Sequence, residues 1–284
     1  MLITGRTRVF GLVGHPVRHS LSPAMHNELF RRKRIDAIYV ALDVPPARAA
    51  GVADAIRTLA LAGVNLTVPF KERVVPGLDR LSESARLAGA VNVVLREDGA
   101  LVGHNTDGEG YVRALVEEMG VLPAGRRAIV LGAGGTGRAV AAALAAHGAV
   151  DVHLLNRTEA RAESACTSLA AAYPITRFTP GPLTSEAFDA VATGAELVIN
   201  CTSGDATPAV AALDIRGLPR GAVWTDANYW MADPPQLVAC AARGVRIQRG
   251  IGMLMHQGAL SFALFTEVAV DIDTIRGVLD IGGW

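Results

Sequence analysis

The chain has 284 residues, of which 50% are hydrophobic and 19% charged. This composition predicts about two domains with well-packed cores and argues against a disordered chain. Lys plus Arg number 27 and Asp plus Glu number 27. The formal net charge is therefore zero, which argues against a protein that coats nucleic acid or an anionic membrane.

The first third of the chain alternates strand and helix patterns. Strands are predicted over residues 8–13, 37–43 and 63–68, and helices from Ser22-Pro23 onward and over 46–61. Ser22 is predicted to be the N-cap of its helix, with proline in the first turn. Two further apolar runs, 91–95 and 101–105, flank Glu97-Asp98-Gly99 and predict a hairpin.

The middle third reads as a regular strand–helix series. Strands are predicted over 128–131, 152–155, 197–200 and 222–225, and helices from the glycine-rich turn to 147 and over 158–172. Strands spaced by helices of this length predict a parallel sheet with right-handed crossovers. The last part is mostly helical, with helices predicted over 235–242, 250–266 and 271–279.

The strongest local signal is the glycine-rich turn at residues 132–137, which matches GxGxxG at Gly132, Gly134 and Gly137. It follows an apolar strand directly and opens an alanine-rich helix, as in dinucleotide-binding folds. Glycines let the backbone approach a pyrophosphate, and the helix N-terminus offers N–H groups. Gly132, Ala133, Gly134, Gly135 and Thr136 are therefore predicted to bind a cofactor; the alternative is a packing turn without a ligand.

The tip of the next predicted strand indicates which dinucleotide is bound. An NAD-binding site usually carries an acidic residue there to hold the ribose 2′-hydroxyl. Here the tip reads Asn156-Arg157-Thr158, and Arg161 follows four residues after Arg157. Paired guanidinium groups suit a 2′-phosphate, so these residues favour NADP. The alternative is a pair of ordinary solvated arginines.

Five motifs together indicate a family. They are GHPVRHSLSP at residues 14–23, NLTVPFK at 65–71, GAVN at 89–92, NTDG at 105–108 and GIGMLMHQ at 250–257. In this order and over essentially the whole chain, the sequence resembles the shikimate dehydrogenase family. The resemblance implies an oxidoreductase that reduces 3-dehydroshikimate to shikimate with NADP, in chorismate and aromatic amino acid biosynthesis.

The resemblance also implies an α/β fold with a discontinuous substrate-binding domain and a Rossmann-type domain with a parallel sheet. Residues 1–107 and 250–284 are expected to form the substrate-binding domain, and 108–249 the NADP-binding domain, with the active site in the cleft. Lys71 and Asp107 would be the catalytic pair. By the same resemblance, the substrate would be held by Ser20, Ser22, Thr67, Asn92, Tyr229 and Gln257. Thr202, Gly250 and Met253 would contact the cofactor.

The chemistry of these side chains agrees with those roles. A polyhydroxylated ring acid needs hydroxyl and amide partners rather than an apolar slot. A lysine ammonium can stabilise a developing alkoxide and supply its proton. Lysine occurs at only two of the 27 basic positions, Lys33 and Lys71. Taken singly, Ser22 and Asp107 could instead be helix caps, and Gln257 a packed polar side chain.

Three positions depart from the family pattern: His104, Cys201 and Trp230. They leave the lysine and aspartate intact but put details of the nicotinamide pocket in question. Quinate or aminoshikimate dehydrogenase remains an alternative. Quinate adds a ring hydroxyl near the carboxylate, so discrimination would lie at Ser20 and Ser22, and a pocket that tolerates the hydroxyl selects only weakly against it. A ring-acid sensor without activity is the alternative from another class.

Other classes of function receive no support from the residues. The seven histidines lack metal-site spacing, so no metal is expected, and no Gly-x-Ser-x-Gly supports a hydrolase. The basic run 31–34 is interpreted as a solvated helix end, not a nucleic-acid patch. Neither a membrane span nor a signal peptide is predicted. We expect a cytoplasmic monomer or homodimer.

Overall fold

A computed structural model describes residues 2–231 and 233–281. The chain divides into two compact units. The first contains the residues up to Thr106 together with those from Met255 onward, and the second is Asp107–Leu254. The boundaries predicted from the sequence lie after residue 107 and before residue 250. Each unit is an α/β structure built on one six-stranded sheet.

The sheet of the first unit is mixed. Its strands are β1 Arg8–Gly14, β2 Ala37–Asp43, β3 Gly63–Leu66, β4 Arg80–Leu81, β5 Val93–Glu97 and β6 Ala100–His104, in the order β2-β1-β3-β5-β6-β4. β1 pairs in parallel with β2 and β3, whereas β5 is antiparallel to β3 and β6. The predicted hairpin is therefore present as β5 and β6.

The helices in this part of the chain correct two predictions. They are α1 Ser22–Lys33, α2 Val52–Thr58, α3 Phe70–Arg73 and α4 Glu83–Ala88. The prediction that Ser22 caps α1 is wrong, because Leu21 holds the N-cap position and no side chain of the described residues caps this end. Instead, Ser20 Oγ accepts the N–H of Ser22 at 3.3 Å. The predicted helix over 46–61 is a 3₁₀ turn, Pro46–Gly51, followed by α2, since glycine weakens a continuous helix.

The sheet of the second unit is parallel throughout. Its strands are β7 Arg127–Leu131, β8 Asp151–Asn156, β9 Arg177–Pro182, β10 Leu197–Asn200, β11 Val223–Asp226 and β12 Arg246–Gln248, in the order β12-β11-β10-β7-β8-β9. This is the order of doubly wound dinucleotide-binding folds, in which ligands bind at the carboxyl ends of the strands. β9 was not predicted, because Pro180 and Pro182 interrupt the sequence pattern of a strand. Proline is tolerated there since β9 is an edge strand.

The helices of the second unit are α5 Asp107–Met119, α6 Gly135–Ala146, α7 Glu159–Ala172, α8 Ser185–Ala192, α9 Thr207–Ala211 and α10 Pro235–Ala242. Asp107 belongs to this unit because α5 packs tightly on α6. A Cβ at Gly108 would lie 2.2 Å from the carbonyl oxygen of Ala139, so only glycine permits this approach. The core includes fully buried Phe188 and Trp224.

The last two helices are α11 Ile251–Thr266 and α12 Ile272–Ile281. The start of α11 packs in the second unit, where a Cβ at Gly252 would lie 2.6 Å from Glu118 Oε2. From Met255 onward the chain belongs to the first unit, and α12 packs against α1 there. Within residues 2–231 and 233–281, none of the helices has the length and apolar character needed to cross a membrane.

Candidate active site

Thr67 lies directly after β3, where the backbone holds it against β1. Its N–H donates to the carbonyl of Val13 at 2.9 Å. A Cβ at Gly14 would lie 2.2 Å from Thr67 Cγ2, so the glycine at the end of β1 makes room for the threonine. Thr67 is half-buried, and its hydroxyl is one of the polar groups predicted to hold the substrate.

Lys71 lies four residues after Thr67 in the chain. It lies in α3, which is anchored by Phe70. The side chain of Phe70 is fully buried, and the backbone N–H of Phe70 donates to the carbonyl of Thr67 at 2.8 Å. The Lys71 carbonyl accepts the N–H of Val91 at 2.7 Å. Backbone hydrogen bonds thus fix the position of this lysine relative to Thr67 and to the GAVN motif.

The side-chain amides of Asn92 and Gln257 lie together in the first unit. Asn92 is 2% exposed, and its Nδ2 lies 3.5 Å from Gln257 Oε1. Thr106 supports both residues. Its N–H donates to Asn92 Oδ1 at 2.8 Å, and its hydroxyl donates to the carbonyl of Gln257 at 3.3 Å.

A second layer of buried polar residues supports this pair and was not predicted from the sequence. Asn65 Nδ2 donates to the carbonyl of Asn92 and to Ser261 Oγ, both at 3.1 Å. Asn65 Oδ1 accepts the hydroxyl of Tyr39 at 2.8 Å. Asn65 is the first residue of the NLTVPFK motif, but its partner Ser261 lies 196 residues away, so only the fold shows the contact.

Asp107 belongs to the second unit and is 3% exposed. Its Oδ2 accepts a hydrogen bond from the hydroxyl of Thr136 at 3.3 Å. Thr136 is part of the glycine-rich turn, so this bond connects the predicted catalytic carboxylate with the predicted cofactor site. Asp107 is the first residue of α5, next to Gly108.

The glycine-rich turn fits the close approach of a pyrophosphate. Gly132 has φ +100°, a conformation that favours glycine, and a Cβ there would lie 3.1 Å from the backbone of Cys201. A Cβ at Gly137 would lie 1.8 Å from the carbonyl oxygen of Gly132. α6 begins at Gly135. Its first N–H groups point out of the helix end, an arrangement that favours the binding of an anion.

Asn156 at the end of β8 is tied to the same turn. Its Oδ1 accepts the N–H of Ala133 at 2.9 Å, and its Nδ2 donates to the carbonyl of Thr158 at 2.8 Å. Arg157 and Arg161 follow and are exposed. A dinucleotide with its pyrophosphate on the turn would therefore meet guanidinium groups at the strand tip. These donors fit the extra phosphate of NADP.

The other predicted cofactor residues follow β10, as Thr202 does, or lie at and just before the start of α11, within the second unit. Thr202 is 8% exposed and Met253 is 7% exposed. A Cβ at Gly250 would lie 2.5 Å from the carbonyl oxygen of Asn228, so the approach to α11 packs closely on the segment after β11. Tyr229, predicted to bind substrate, lies in that segment, with its ring 5.8 Å from that of Trp230.

Three family models match separate parts of the chain. Residues 12–94 match the substrate-binding domain of shikimate dehydrogenase, and residues 250–279 match the C-terminal domain of shikimate 5′-dehydrogenase. Residues 128–217 match the NADP-binding domain of saccharopine dehydrogenase.

Curated relatives and solved structures agree over nearly the full length. The NADP(+) shikimate dehydrogenase of Geobacter metallireducens is 43% identical over 267 residues, covering 94% of this chain and 93% of that protein. The crystal structure of Thermus thermophilus shikimate 5-dehydrogenase with NADP(H) and shikimate is 34% identical, with a TM-score of 0.82 and coverage of 96% and 99%. The Listeria monocytogenes enzyme, in complex with shikimate and NAD, is 31% identical, with a TM-score of 0.86 and coverage of 98% of both chains.

Proposed function

Because the chain belongs to the shikimate dehydrogenase family, we propose that it catalyses the reversible NADP-dependent reduction of 3-dehydroshikimate to shikimate. This reaction belongs to aromatic amino acid biosynthesis. The proposal rests mainly on the side-chain amides of Asn92 and Gln257, which lie together and are held by buried Thr106. Asp107 is the next residue in the chain after Thr106. Together with Ser20, Ser22 and Thr67, the amides provide the donors and acceptors that a ring acid with several hydroxyls needs.

The chemistry requires one hydride and one proton for each carbonyl reduced. When bound, NADPH supplies the hydride to the ring carbonyl carbon. Lys71 stabilises the negative charge that develops on the carbonyl oxygen and donates the proton, after which water protonates the lysine again. Asp107, held by Thr136, provides the carboxylate of the predicted catalytic pair. The products are shikimate and NADP⁺.

The cofactor preference follows from the residues after β8. Arg157 and Arg161 carry positive charge where a 2′-phosphate would lie in this fold. NAD has no 2′-phosphate, so it would form no ion pair with either arginine. The Listeria structure contains NAD, so both cofactors need to be compared directly. We infer that NADPH gives the higher kcat/KM.

A single steady-state experiment separates the candidate functions. Reduction of 3-dehydroshikimate is measured with NADPH and with NADH, and oxidation of shikimate and of quinate is measured with NADP⁺ and NAD⁺. The proposal predicts the highest kcat/KM for the shikimate pair with NADP(H). Preference for quinate would make the chain a quinate dehydrogenase. Binding of the ring acid without turnover would make it a sensor.

We also infer that the protein acts in the cytoplasm as a monomer or homodimer, without nucleic acid or membrane partners. The zero net charge supports the absence of polyanionic partners. Light scattering during size-exclusion chromatography measures the mass directly. A mass above that of a dimer would contradict the inference.

A further inference from the structure

A buried amide and a buried carboxylate face each other at the carboxyl ends of two neighbouring strands. Asn200 ends β10 and Asp226 ends β11, and the two residues are aligned in the parallel register. Asn200 is 8% exposed and Asp226 is 5% exposed. Asn200 Nδ2 donates to Asp226 Oδ2 at 2.8 Å. The predicted reaction assigns no role to either residue.

Asp226 accepts hydrogen bonds from two directions. Its Oδ2 accepts from Asn200, while its Oδ1 accepts the backbone N–H of Asn228 at 2.8 Å and Asn228 Nδ2 at 2.7 Å. Burial raises the pKa of this carboxyl, and these N–H groups act in the opposite direction. The segment that leads from β11 to Tyr229 is thereby fixed to the end of its own strand.

Asn200 makes the corresponding contacts on its side. Its Oδ1 accepts the N–H of Thr202 at 3.1 Å and the Thr202 hydroxyl at 2.7 Å. Asn228 Nδ2 also donates to the carbonyl of Thr202 at 3.1 Å, which closes the ring of contacts. The segments after β10 and after β11 are therefore held together by one network of hydrogen bonds.

We propose that Asn200 and Asp226 are positioning residues that place Thr202 for the cofactor and the Asn228-Tyr229 segment for the substrate. They act through the pattern of donors and acceptors, and the negative charge on residue 226 is not itself required. This inference rests on the proposed function for the roles of Thr202 and Tyr229. The hydrogen bonds among the four residues of the network, Asn200, Thr202, Asp226 and Asn228, stand independently of it.

The near-identical shapes of Asn and Asp permit a precise test. Asp226→Asn changes one acceptor into an NH₂ group, which must face the donor of Asn200 or those of Asn228. Asn200→Asp brings two carboxylates together at the place of the 2.8 Å contact. Both single variants break the pattern. The exchange Asn200→Asp with Asp226→Asn reverses one hydrogen bond and preserves all the others.

The four proteins, wild type, both single variants and the exchange variant, are compared by NADPH affinity, by kcat and KM, and by melting temperature. Each single variant is expected to weaken NADPH binding and raise the KM for 3-dehydroshikimate by roughly ten-fold or more. The exchange variant is expected to recover both values to within about three-fold of wild type. Recovery by exchange is a readout that a general loss of stability would not produce.

Thr176→Val serves as the matched control for stability alone. Thr176 is 6% exposed in the same unit, and its hydroxyl donates to the carbonyl of Ala149 at 2.7 Å. Thr176 precedes β9 and Ala149 precedes β8, so this contact lies at the amino ends of the strands. Asn200 and Asp226 lie at the carboxyl ends, on the opposite edge of the sheet. This variant is expected to lower the melting temperature with unchanged NADPH affinity. If the single variants fail to fold, Asn228→Ala tests the same network, because it removes the side-chain donor to Asp226 and to the carbonyl of Thr202 and is expected to weaken NADPH binding.

The two proposals fail in different ways. Calorimetric binding of NADPH needs no substrate, so it tests the placement of Thr202 even if the wild type does not reduce 3-dehydroshikimate. An exchange variant as impaired as the single variants would overturn the inference, because the charge at residue 226 would then be required. Single variants with wild-type affinity and KM would overturn it as well. Wild-type protein without turnover but with the expected binding pattern would overturn only the proposed function.

Discussion

Thr106 and the side chain of Asn92 exchange a pair of hydrogen bonds. The backbone N–H of Thr106 donates to Asn92 Oδ1 at 2.8 Å, and Asn92 Nδ2 donates to Thr106 Oγ1 at 2.9 Å. A side-chain amide has one donor end and one acceptor end, so this exchange determines which end occupies which position. It directs Nδ2 toward the side where Gln257 Oε1 lies.

Thr106→Val is therefore expected to raise the KM for 3-dehydroshikimate roughly ten-fold, with a smaller change in kcat. Valine has nearly the same shape and keeps the backbone donor, but it removes the hydroxyl oxygen that accepts from Asn92 Nδ2. Thr106→Ser retains the hydroxyl and is expected to behave nearly as wild type. Steady-state kinetics of the two variants decide the matter. An unchanged KM in Thr106→Val would show that the hydroxyl does not orient Asn92.

Lys71→Arg is expected to keep the fold and NADPH binding while kcat falls by about 10²–10⁴-fold. Arginine keeps the positive charge but does not release a proton near neutral pH. The KM for the ring acid is expected to change much less, because Ser20, Ser22, Thr67 and Gln257 remain. The measurement is kcat with saturating NADPH, beside a separate titration of NADPH binding.

Lys33→Arg is the matched control for this substitution. Lys33 is the other lysine of the chain and lies exposed at the end of α1. Its replacement is expected to leave kcat unchanged. Wild-type kcat in Lys71→Arg would exclude Lys71 as the proton donor and leave it as a charge that binds the substrate.

Asp107→Asn is expected to lower kcat to a similar extent. If Asp107 and Lys71 act as a unit, the loss of kcat in the double variant is expected to be smaller than the product of the two single losses.

Much of the fold follows from local sequence patterns. The bounds of β2, β10 and α10 agree with the predicted ranges 37–43, 197–200 and 235–242, because apolar runs or an initial proline delimit them. The edge strands β9 and β12 were missed: one contains prolines, and the other has only three residues. Periodicity is a weak signal when a strand is short or lies at the edge of a sheet.

The candidate site was predictable through its motifs but not through its supporting residues. The glycine-rich turn can be recognised locally, since strand, turn and helix are contiguous. The contact of Asn65 with Ser261 depends on packing between distant parts of the chain. The pair of Asn200 and Asp226 did leave a signal: each is the polar residue that ends an apolar run, and adjacent parallel strands bring such ends together.

Arg157→Ala is expected to raise the KM for NADPH by about ten- to a hundred-fold and to leave the use of NADH nearly unchanged. The lost interaction is a charge-assisted hydrogen bond to the 2′-phosphate, which NADH lacks. Arg220→Ala, at another exposed arginine of the second unit, controls for a general loss of positive charge. Wild-type preference for NADH, or an equal loss with both cofactors, would contradict the assignment of Arg157.

His26 is expected to make the stability of the protein sensitive to mild acid. Its ring is fully buried among aromatic side chains, with its centroid 4.5 Å from that of Tyr39 and the two rings stacked. Among the residues that the structure describes, Nδ1 has no hydrogen-bond partner. Burial of the ring disfavours the charged imidazole and lowers its pKa from 6.5 to about 3.

The direction of the effect follows from proton binding. Between pH 6.5 and about 3 the unfolded chain protonates His26 while the folded protein does not. Stability contributed by the neutral ring is therefore present above pH 6.5 and falls as the pH decreases. The slope approaches about 1.4 kcal/mol per pH unit, so lowering the pH from 7 to 5 costs about 2 kcal/mol of unfolding free energy.

Urea denaturation of wild type and of His26→Leu at pH 7 and pH 5 tests this expectation. The absolute stability of the variant also reflects altered packing, so the informative quantity is the difference between the two pH values. That difference is expected to be about 2 kcal/mol smaller in His26→Leu than in wild type. The carboxyl of Glu28, with a pKa lowered to about 2, loses its stabilising effect only at lower pH. The other histidines are the same in both proteins and cancel in the comparison. An equal pH dependence in the two proteins would show that His26 is protonated as readily in the folded state as in the unfolded chain.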